Sequence, residues 1–596
     1  MERRWNRPSL AALLRIPIRD RPGDVFRRRA CVGSVPEPGR AVLQQRSNDT
    51  WPTANAQQAP HALRALRELF PQTAIACALL ATPALAQPVG SFFHWSTLAG
   101  DASRTSTRAT ALSTISTPRW TLSQTTLGQP IRFIGPASIV ASTLPTPRIY
   151  TTGIISNQTH AIAVNADTGQ VAWTTPIPAL ILDSYSAPAL GHHLGIVLYS
   201  SGTTITALRL IDGSLAWQTP LTGAPVNATP IITTDLGSRN RAFTTDYGGF
   251  GGSSLLYCIN VSPFHQTINP YQPGEIVWSA PIGSATGASP TYLGGVVYVT
   301  STGLDATNFG EIRAFDARTT ITPAPLWTFT NTIAEGFFGG LTIRESASGV
   351  HIFAATYAFF GQTSSANMVK LNARTGALVW SVACNRTESI PIPLDDGRII
   401  LSSGVQGFGS VPMVQMFQDF GSSATQLWNT ATSTWTDANQ NGVMDVGEFL
   451  LIGGRVMQPV LLRSTINTPR LLIGANASAG NPPGPGTILY ELDLTKAPHE
   501  PGFIVQQSTS MGSSPGLLGA GVYAHGTSGL AALGALPPHP DLNNDARFDL
   551  DDLILWEQGL GPRDVDRDGS ITPADRTLLL RELRLNEHRS LTKGRN

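Results

Sequence analysis

One short pattern repeats along most of the chain, and this repetition limits the fold more than any other feature. In residues 163–173, two apolar runs flank an Asp-Thr-Gly turn, and the segment ends at Trp173. Similar segments end at Trp217 and Trp380, and looser ones at Trp278, Trp327 and Trp428. A unit that recurs about every 45–60 residues indicates a repeat architecture.

Each repeat predicts four short antiparallel strands. A small residue and a proline, as in residues 186–188 and 288–290, precede a β-branched or aromatic run such as residues 296–300. Such runs are typical of strands, and the turn glycine accepts the positive φ that a tight hairpin requires. One small sheet cannot bury both of its faces, so radial stacking with tryptophans between the sheets predicts a mainly β fold, a β-propeller of about eight blades.

Two incomplete repeats predict how the ring closes. Residues 513–533 have strand patterns without a terminal tryptophan, whereas residues 118–120 have a tryptophan without the strands before it. We expect the two pieces to pair, because this pairing leaves no open sheet edge.

The tryptophan-ended hairpins resemble the tryptophan-docking repeats of PQQ-like, quinoprotein-type β-propellers. Residues 95–104, with Gly100-Asp101 before Arg104-Thr105, resemble the opening segment of that family. The resemblance covers roughly residues 91–535 and implies the fold, although one fold hosts many activities. Quinoprotein dehydrogenases place a vicinal Cys-Cys pair against the quinone, and the sequence has no such pair. We therefore do not expect PQQ as a cofactor.

A secretory signal peptide is predicted at residues 63–86. Basic residues precede a short apolar run there, and small residues allow cleavage near Ala86. The apolar run is too short to span a bilayer. We interpret residues 1–62 as a disordered or misassigned extension, expect translation to start near Leu63 or Leu66, and expect the mature protein to be secreted, extracellular or in the cell envelope.

The low charge content limits the kinds of partner, and the cysteine content limits the disulfides that can form. Charged residues make up 14% of the chain and the formal net charge is +1, so no basic face for nucleic acid is indicated. After signal cleavage only Cys258 and Cys384 remain, two predicted blades apart. Two buried thiols are favoured over a disulfide, which stays possible in an oxidising compartment.

A proline-rich linker, residues 537–540, separates the predicted propeller (residues 87–536) from an acidic segment. Two twelve-residue loops follow, with oxygen ligands at positions 1, 3, 5 and 12 and an apolar residue at position 8. This spacing wraps a chain around calcium, with a carbonyl ligand at position 7 and a water-mediated one at position 9. The predicted ligands are Asp541, Asn543, Asp545, Arg547, Asp549 and Asp552 in the first loop, and Asp564, Asp566, Asp568, Ser570, Thr572 and Asp575 in the second.

The paired loops and the helices after them resemble a type I dockerin, a paired EF-hand-like domain, over residues 541–586, with residues 587–596 as a tail. The resemblance implies a cohesin-like partner or a cell-surface assembly. Ala546 replaces the family's glycine at position 6, and the positions that contact partners hold Leu550-Asp551 and Pro573-Ala574. The alternative is a solvated acidic tail.

A third loop, residues 437–448, fits the same calcium pattern inside the propeller. It predicts a structural calcium in an insertion between blades, whereas the alternative is an Asx-rich turn without metal. The predicted ligands are Asp437, Asn439, Asn441, Val443, Asp445 and Glu448.

Two functions stay open. No nucleophilic or histidine-rich metal motif stands out, and His192-His193 indicates a solvated turn rather than a metal ligand. We favour a secreted, non-catalytic propeller joined through its calcium-dependent C-terminal domain to a cohesin-like partner or extracellular assembly. The alternative is a quinone-dependent dehydrogenase or carbohydrate-active enzyme that binds its ligand in the propeller channel.

Overall fold

The structure is a computed structural model that describes most of the chain after residue 92. The described residues are 93–134, 139–143, 146–182, 184–249, 252–284, 287–301, 309–333, 336–357, 366–405, 411–433, 439–441, 451–463, 468–475, 486–543 and 548–591, with side chains as far as residue 583. All of them fall in the unit Pro83–Asn596. The predicted extension (residues 1–62) and signal peptide (residues 63–86) lie outside the described residues.

The described strands form eight small sheets, which we number as blades 1 to 8 in chain order. Three opening strands, β1 to β3, are His94–Trp95, Thr107–Arg108 and Trp120–Leu122. Blade 1 contains β4 to β8, at Ile131–Phe133, Val140–Ser142, Arg148–Ile155, Gln158–Asn165 and Val171–Pro176. Blade 2 contains β9 to β12, at Ala189–Gly191, Ile196–Ser201, Thr204–Arg209 and Leu215–Pro220. Blade 3 contains β13 to β16, at Ile231–Ile232, Arg241–Thr245, Ser254–Asn260 and Ile276–Ile282.

The remaining blades follow the same order. Blade 4 contains β17 to β20, at Thr291–Leu293, Val296–Ser301, Glu311–Asp316 and Trp327–Thr330. Blade 5 contains β21 to β24, at Thr342–Ser346, Gly349–Ala355, Asn367–Asn372 and Leu378–Ala383. Blade 6 contains β25 to β28, at Ile392–Pro393, Arg398–Ser403, Met413–Asp419 and Ala424–Asn429. Blade 7 contains β29 to β32, at Val460–Arg463, Pro469–Gly474, Leu489–Asp493 and Ile504–Ser508, and blade 8 contains β33 to β35, at Gly516–Leu518, Gly521–Gly526 and Gly529–Gly534.

The ring closes as the two incomplete repeats predict. β3 pairs with β35 as the outer strand of blade 8, with Trp120 opposite Ala532 and Leu122 opposite Leu530. One apolar core contains Leu462 of blade 7, Val522 of blade 8 and Ile149 of blade 1. Because neighbouring blades elsewhere also share apolar cores, the eight sheets form one continuous ring.

Tryptophans dock most blades onto the next one. The Trp327 indole of blade 4 donates to the Ala373 carbonyl of blade 5 at 3.0 Å, and Trp173 of blade 1 donates to Leu210 of blade 2 at 3.1 Å. The turn glycine lies under the indole ring of the docking tryptophan, so a Cβ at Gly376 would be only 2.5 Å from the Trp327 indole. The turn therefore needs glycine both for its positive φ, +71° at Gly376, and for space.

An N-terminal stretch, the hub segment (residues 94–108), joins the inner strands of several blades. β1 pairs with β5 of blade 1, and β2 pairs with β29 of blade 7. Between them, backbone carbonyls of the hub accept from Leu190 of blade 2, Tyr292 of blade 4 and Ile343 of blade 5. The segment predicted as a family-like opening therefore lies at the propeller axis.

Among the described residues, helices are few and lie mostly after the propeller. α1 is Thr430–Ser433, α2 is Leu550–Glu557 and α3 is Pro573–Leu591. Two 3-10 turns occupy His192–Leu194 and Gly237–Arg239. None of the helices that the structure describes is long and apolar enough to cross a membrane.

We predict that Gly376→Ala lowers the free energy of unfolding by about 3 kcal/mol, because it adds a clash with the indole to the strain of a positive φ. Gly195→Ala is the matched control: its φ is +66°, but nothing lies within 4 Å of the added Cβ, so about 1 kcal/mol is expected. Guanidinium denaturation of both variants measures the difference. Equal losses would contradict the docking role of the glycine.

Candidate functional site

The second calcium-type loop brings three carboxylates together after the propeller. The ligand oxygens of Asp564, Asp566 and Asp568 lie within 4.8 Å of one another, and no other such group of three or more His, Cys, Asp or Glu occurs among the described residues. The Asp564 carboxylate accepts from the backbone amides of Asp568 at 3.0 Å and Gly569 at 2.9 Å. The loop thus wraps around its own first residue and places hard oxygen ligands inside the turn.

The last residue of each loop holds both ends of that loop in the same way. Buried Asp575 accepts from Val565 N at 2.7 Å and Thr572 N at 2.9 Å, which are positions 2 and 9 of the second loop. Asp552 accepts from the same two positions of the first loop, Leu542 N at 2.7 Å and Asp549 N at 2.9 Å. The sequence duplication is therefore also a duplication of structure.

The other predicted ligands are only partly described. Ser570 and Thr572 lie in the second loop at positions 7 and 9, and in the first loop Asp541 is buried and Asn543 is exposed. Asp545 and Arg547 lie outside the described residues, as do Asp437, Val443, Asp445 and Glu448 of the third loop. In the third loop the Asn439 side chain accepts from Asn441 N at 3.1 Å.

Electrostatic repulsion is concentrated at the second loop. Burial raises the pKa of Asp566 to about 6, and the carboxylates of Asp575, Asp568 and Asp564 add to this effect. Burial likewise raises the pKa of Asp552 in the first loop. A divalent cation would relieve this repulsion, so the donor set fits calcium.

The second candidate site is the propeller axis, where the proline steps form a belt of hydrogen bonds. Ala187 N donates to the Thr229 hydroxyl at 3.0 Å, and Thr229 N donates to the Ser289 hydroxyl at 3.0 Å. Across the ring, Gln458 N donates to the Ser514 hydroxyl at 2.9 Å. Each of these polar side chains precedes a proline, so the sequence pattern of small polar residue and proline links one blade to the next.

Arg104 of the hub segment fills the centre of this belt. Its guanidinium donates to the carbonyls of Pro290 at 2.9 Å, Leu98 at 2.9 Å and Thr229 at 3.0 Å. Burial lowers its pKa to about 9, and Asp101 acts in the opposite direction. A buried guanidinium is tolerated because several carbonyls solvate it.

A pocket of about 30 Å³ lies at the axis, lined by residues from the hub and from most blades. Tyr185 of blade 2 and Glu388 of blade 6 both line this pocket, and the Tyr185 hydroxyl donates to the Glu388 carboxylate. One hydrogen bond therefore joins two blades on opposite sides of the propeller. Glu388 also pairs with Arg455 at 2.6 Å, and Arg455 contacts the Tyr357 hydroxyl at 3.2 Å. Burial raises the pKa of Glu388, while Arg455 opposes the shift.

The sequence reasoning missed this network, although a signal was present. Tyr185 and Glu388 each stand directly before a proline step, and so do Asn227 and Gly287, which also line the pocket. The residue before a step therefore faces the axis. Single tyrosines and glutamates in loops have no periodicity that would mark them.

The remaining predicted residues have structural roles. Cys258 and Cys384 are both buried free thiols, as predicted, and burial raises the pKa of each. His192 lies half-buried in a 3-10 turn and stacks on His94, with ring centroids 4.1 Å apart. His193 is exposed in the same turn, and its ring contacts Asn240 at 3.2 Å.

Comparison with known proteins gives only distant matches. No curated protein matches the chain. Among solved structures, BamB from Moraxella catarrhalis is 14% identical with a TM-score of 0.39, over 70% of this chain and 96% of that one. A europium-containing methanol dehydrogenase is 10% identical with a TM-score of 0.47, over 84% and 96%. A quinohemoprotein alcohol dehydrogenase from Comamonas testosteroni is 11% identical with a TM-score of 0.43, over 74% and 77%.

Matching by protein family is more specific. The family described as outer membrane protein assembly factor BamB matches residues 137–261 and 270–386. These residues extend from the start of blade 1 to the end of blade 5, and the strand order repeats through blade 8. The chain is thus an eight-bladed β-propeller whose first five blades match the BamB family.

Proposed function

We propose that the chain is a secreted, non-catalytic interaction propeller whose C-terminal module, residues 541–586, binds calcium and attaches it to a cohesin-like partner or extracellular assembly. The match of blades 1 to 5 to a family described as an assembly factor supports a role in protein interaction. The paired loops with their identical hydrogen bonds support the calcium-binding module. Secretion is proposed from residues 63–86 alone.

The main support for calcium is the geometry of the second loop. Three carboxylates converge at positions 1, 3 and 5, and Asp575 at position 12 is fixed by two amides. Calcium takes six to eight oxygens, so the Ser570 carbonyl and water would complete the shell. Bound calcium would replace the mutual repulsion of the carboxylates with attraction and stabilise the loops.

The partner would bind to an exposed face of the C-terminal module. The positions that contact partners in dockerins hold Leu550, Asp551, Pro573 and Ala574, and all four are exposed. Leu550 is 59% exposed. This face has few hydroxyls, so we propose that its partner presents an apolar surface rather than a polar one.

The enzyme alternative has less support at the axis. The polar groups around the pocket are already used, since Arg104 and the belt bind one another and the backbone of neighbouring blades. We therefore propose the axis as a structural centre, with any further ligand bound at its mouth, near Glu388 and Arg455.

Calcium binding is tested by titration calorimetry of the full chain. Asp566→Asn with Asp568→Asn should weaken one site at least a hundredfold, since each change removes a charged ligand. Asp551→Asn is the matched control: Asp551 is exposed and is not a predicted ligand, so its affinity should stay within about twofold of the parent. If the unmodified chain binds no calcium, the proposal is wrong.

The raised pKa of Asp566 predicts opposite pH dependences with and without calcium. With chelator, the folded loop holds a proton more tightly than the unfolded chain, so stability should rise as pH falls through about 6. With calcium, protons compete with the ion, so stability should fall over the same range. Hydrogen exchange of residues 564–580, corrected for intrinsic rates, measures both trends. The same trend in both conditions would argue against a cation site.

The partner is tested by affinity capture with the full chain, from secreted and envelope proteins of the source organism. A protein with a cohesin-like domain should be captured in calcium and released by chelator. Leu550→Glu with Ala574→Glu should abolish capture, because it places charge on the proposed apolar face. Arg374→Glu, a charge change on an exposed turn of blade 5, serves as the control. Capture that depends neither on calcium nor on Leu550 would exclude this face as the binding site.

A further inference from the structure

The C-terminal module packs against the propeller through an aromatic side chain. Phe93, which directly precedes β1, is buried in the apolar core of the module together with Trp556, Val565 and Leu579. Its ring meets Phe548 edge-on, with centroids 5.0 Å apart. Phe93 is therefore part of the core of the module, although it belongs to the opening of the propeller.

A salt bridge makes a second contact at the outer side of blade 1. Arg567, in the second loop, donates to Asp167 at 2.8 Å, and both side chains are about 70% shielded from solvent. Asp167 belongs to the turn that receives Trp120, whose indole donates to the adjacent Ala166 carbonyl at 3.0 Å. Arg567 thus binds the turn on which the outer strand of blade 8 docks.

A third contact reaches the hub segment. Arg108 at the end of β2 is fully buried, lies over the Trp95 ring at 5.1 Å, and donates to the His94 carbonyl at 3.0 Å. Burial lowers its pKa to about 10, and Glu582 of α3 acts in the opposite direction. Glu582 is itself almost completely buried and pairs with Arg581 at 3.2 Å, so α3 places this ion pair close enough to influence an arginine of the propeller.

These contacts surround the joint between blades 8 and 1, which includes the pairing of β3 with β35 that closes the ring without a covalent link. β3 contributes only three residue pairs to this joint, whereas the outer strands of blades 1 to 3 contribute five or six. A short closing strand gains less from pairing and opens more readily. The joint is therefore the place where additional contacts stabilise the ring most.

We propose that the C-terminal module is an intramolecular clasp, whose docking partner is the joint between blades 8 and 1 of its own propeller. The module holds Phe93, the Asp167 turn and the hub segment on one side. Leu550 and Ala574 of the module stay exposed. None of the clasp contacts uses a predicted ligand side chain, so the clasp is tested separately from calcium binding and extends the proposed function without relying on it.

The test is hydrogen exchange of the full chain, compared between the joint and a distant blade. Leu579→Asp places a charge in the core of the module and should unfold it. Exchange in residues 118–124 and 528–535 should then accelerate at least tenfold, while residues 311–330 of blade 4 should exchange as before. Unchanged exchange at the joint with the module unfolded would overturn the clasp.

Two further variants separate docking from a general loss of stability. Phe93→Ala changes a propeller residue and should accelerate hydrogen exchange in both the module and the joint. Faster exchange in α2 and α3 alone would show that the module does not stabilise the joint. A double-mutant cycle of Asp167→Asn and Arg567→Gln should show coupling between the two residues in the hydrogen exchange of the joint. Arg576→Gln is the control. It breaks the exposed pair with Glu557 within the module and should leave exchange at the joint unchanged. Both measurements are made in calcium and in chelator. The clasp can therefore be tested even if the chain binds no calcium.

Discussion

The structure depends on closure of a ring in which no sheet is stable alone. Each blade has two apolar faces, and each face is buried only by a neighbour, so an open ring would expose two of them. The pairing of β3 with β35 prevents this exposure and places the Trp120 indole over Gly169 of blade 1. The first tryptophan of the propeller thus serves the last blade, and the repeat is completed by the two ends of the chain.

The centre of the ring is organised by main-chain groups as much as by side chains. Arg104 donates to three carbonyls, and the hydroxyls of Thr229 and Ser289, each directly before a proline, accept an amide of the neighbouring blade. These bonds satisfy backbone groups at the point where the strands crowd together, where unpaired groups would be costly. A channel built in this way is a structural core, and binding surfaces are left to its mouth, its rim and the appended module.

Much of the fold was predictable because its signals are periodic. The recurring turn and tryptophan gave the blades, and the two unmatched fragments gave the closure, since each carries a pattern that needs a partner. Phe93 and Arg104 were not predictable in the same way. Each is a single residue in an irregular stretch, and its partners lie hundreds of positions away, so no local spacing marks it. The carboxylates of the second loop are intermediate: their spacing predicts a cation site and the structure brings three of them together, while the docking of the loop on blade 1 left no trace in the sequence.

The position of the hub segment has a consequence for biogenesis. Residues 94–108 precede every blade in the chain, yet their strand partners include β29 of blade 7, and Arg108 donates to Leu517 of blade 8. A nascent chain that has just made the hub therefore lacks the last partner of the hub until more than four hundred further residues have been added. Early blades can form hairpins, but their common centre must wait for the late ones, which gives the fold a high contact order. Completion of the axis is thus a late step of folding, because it requires blade 8.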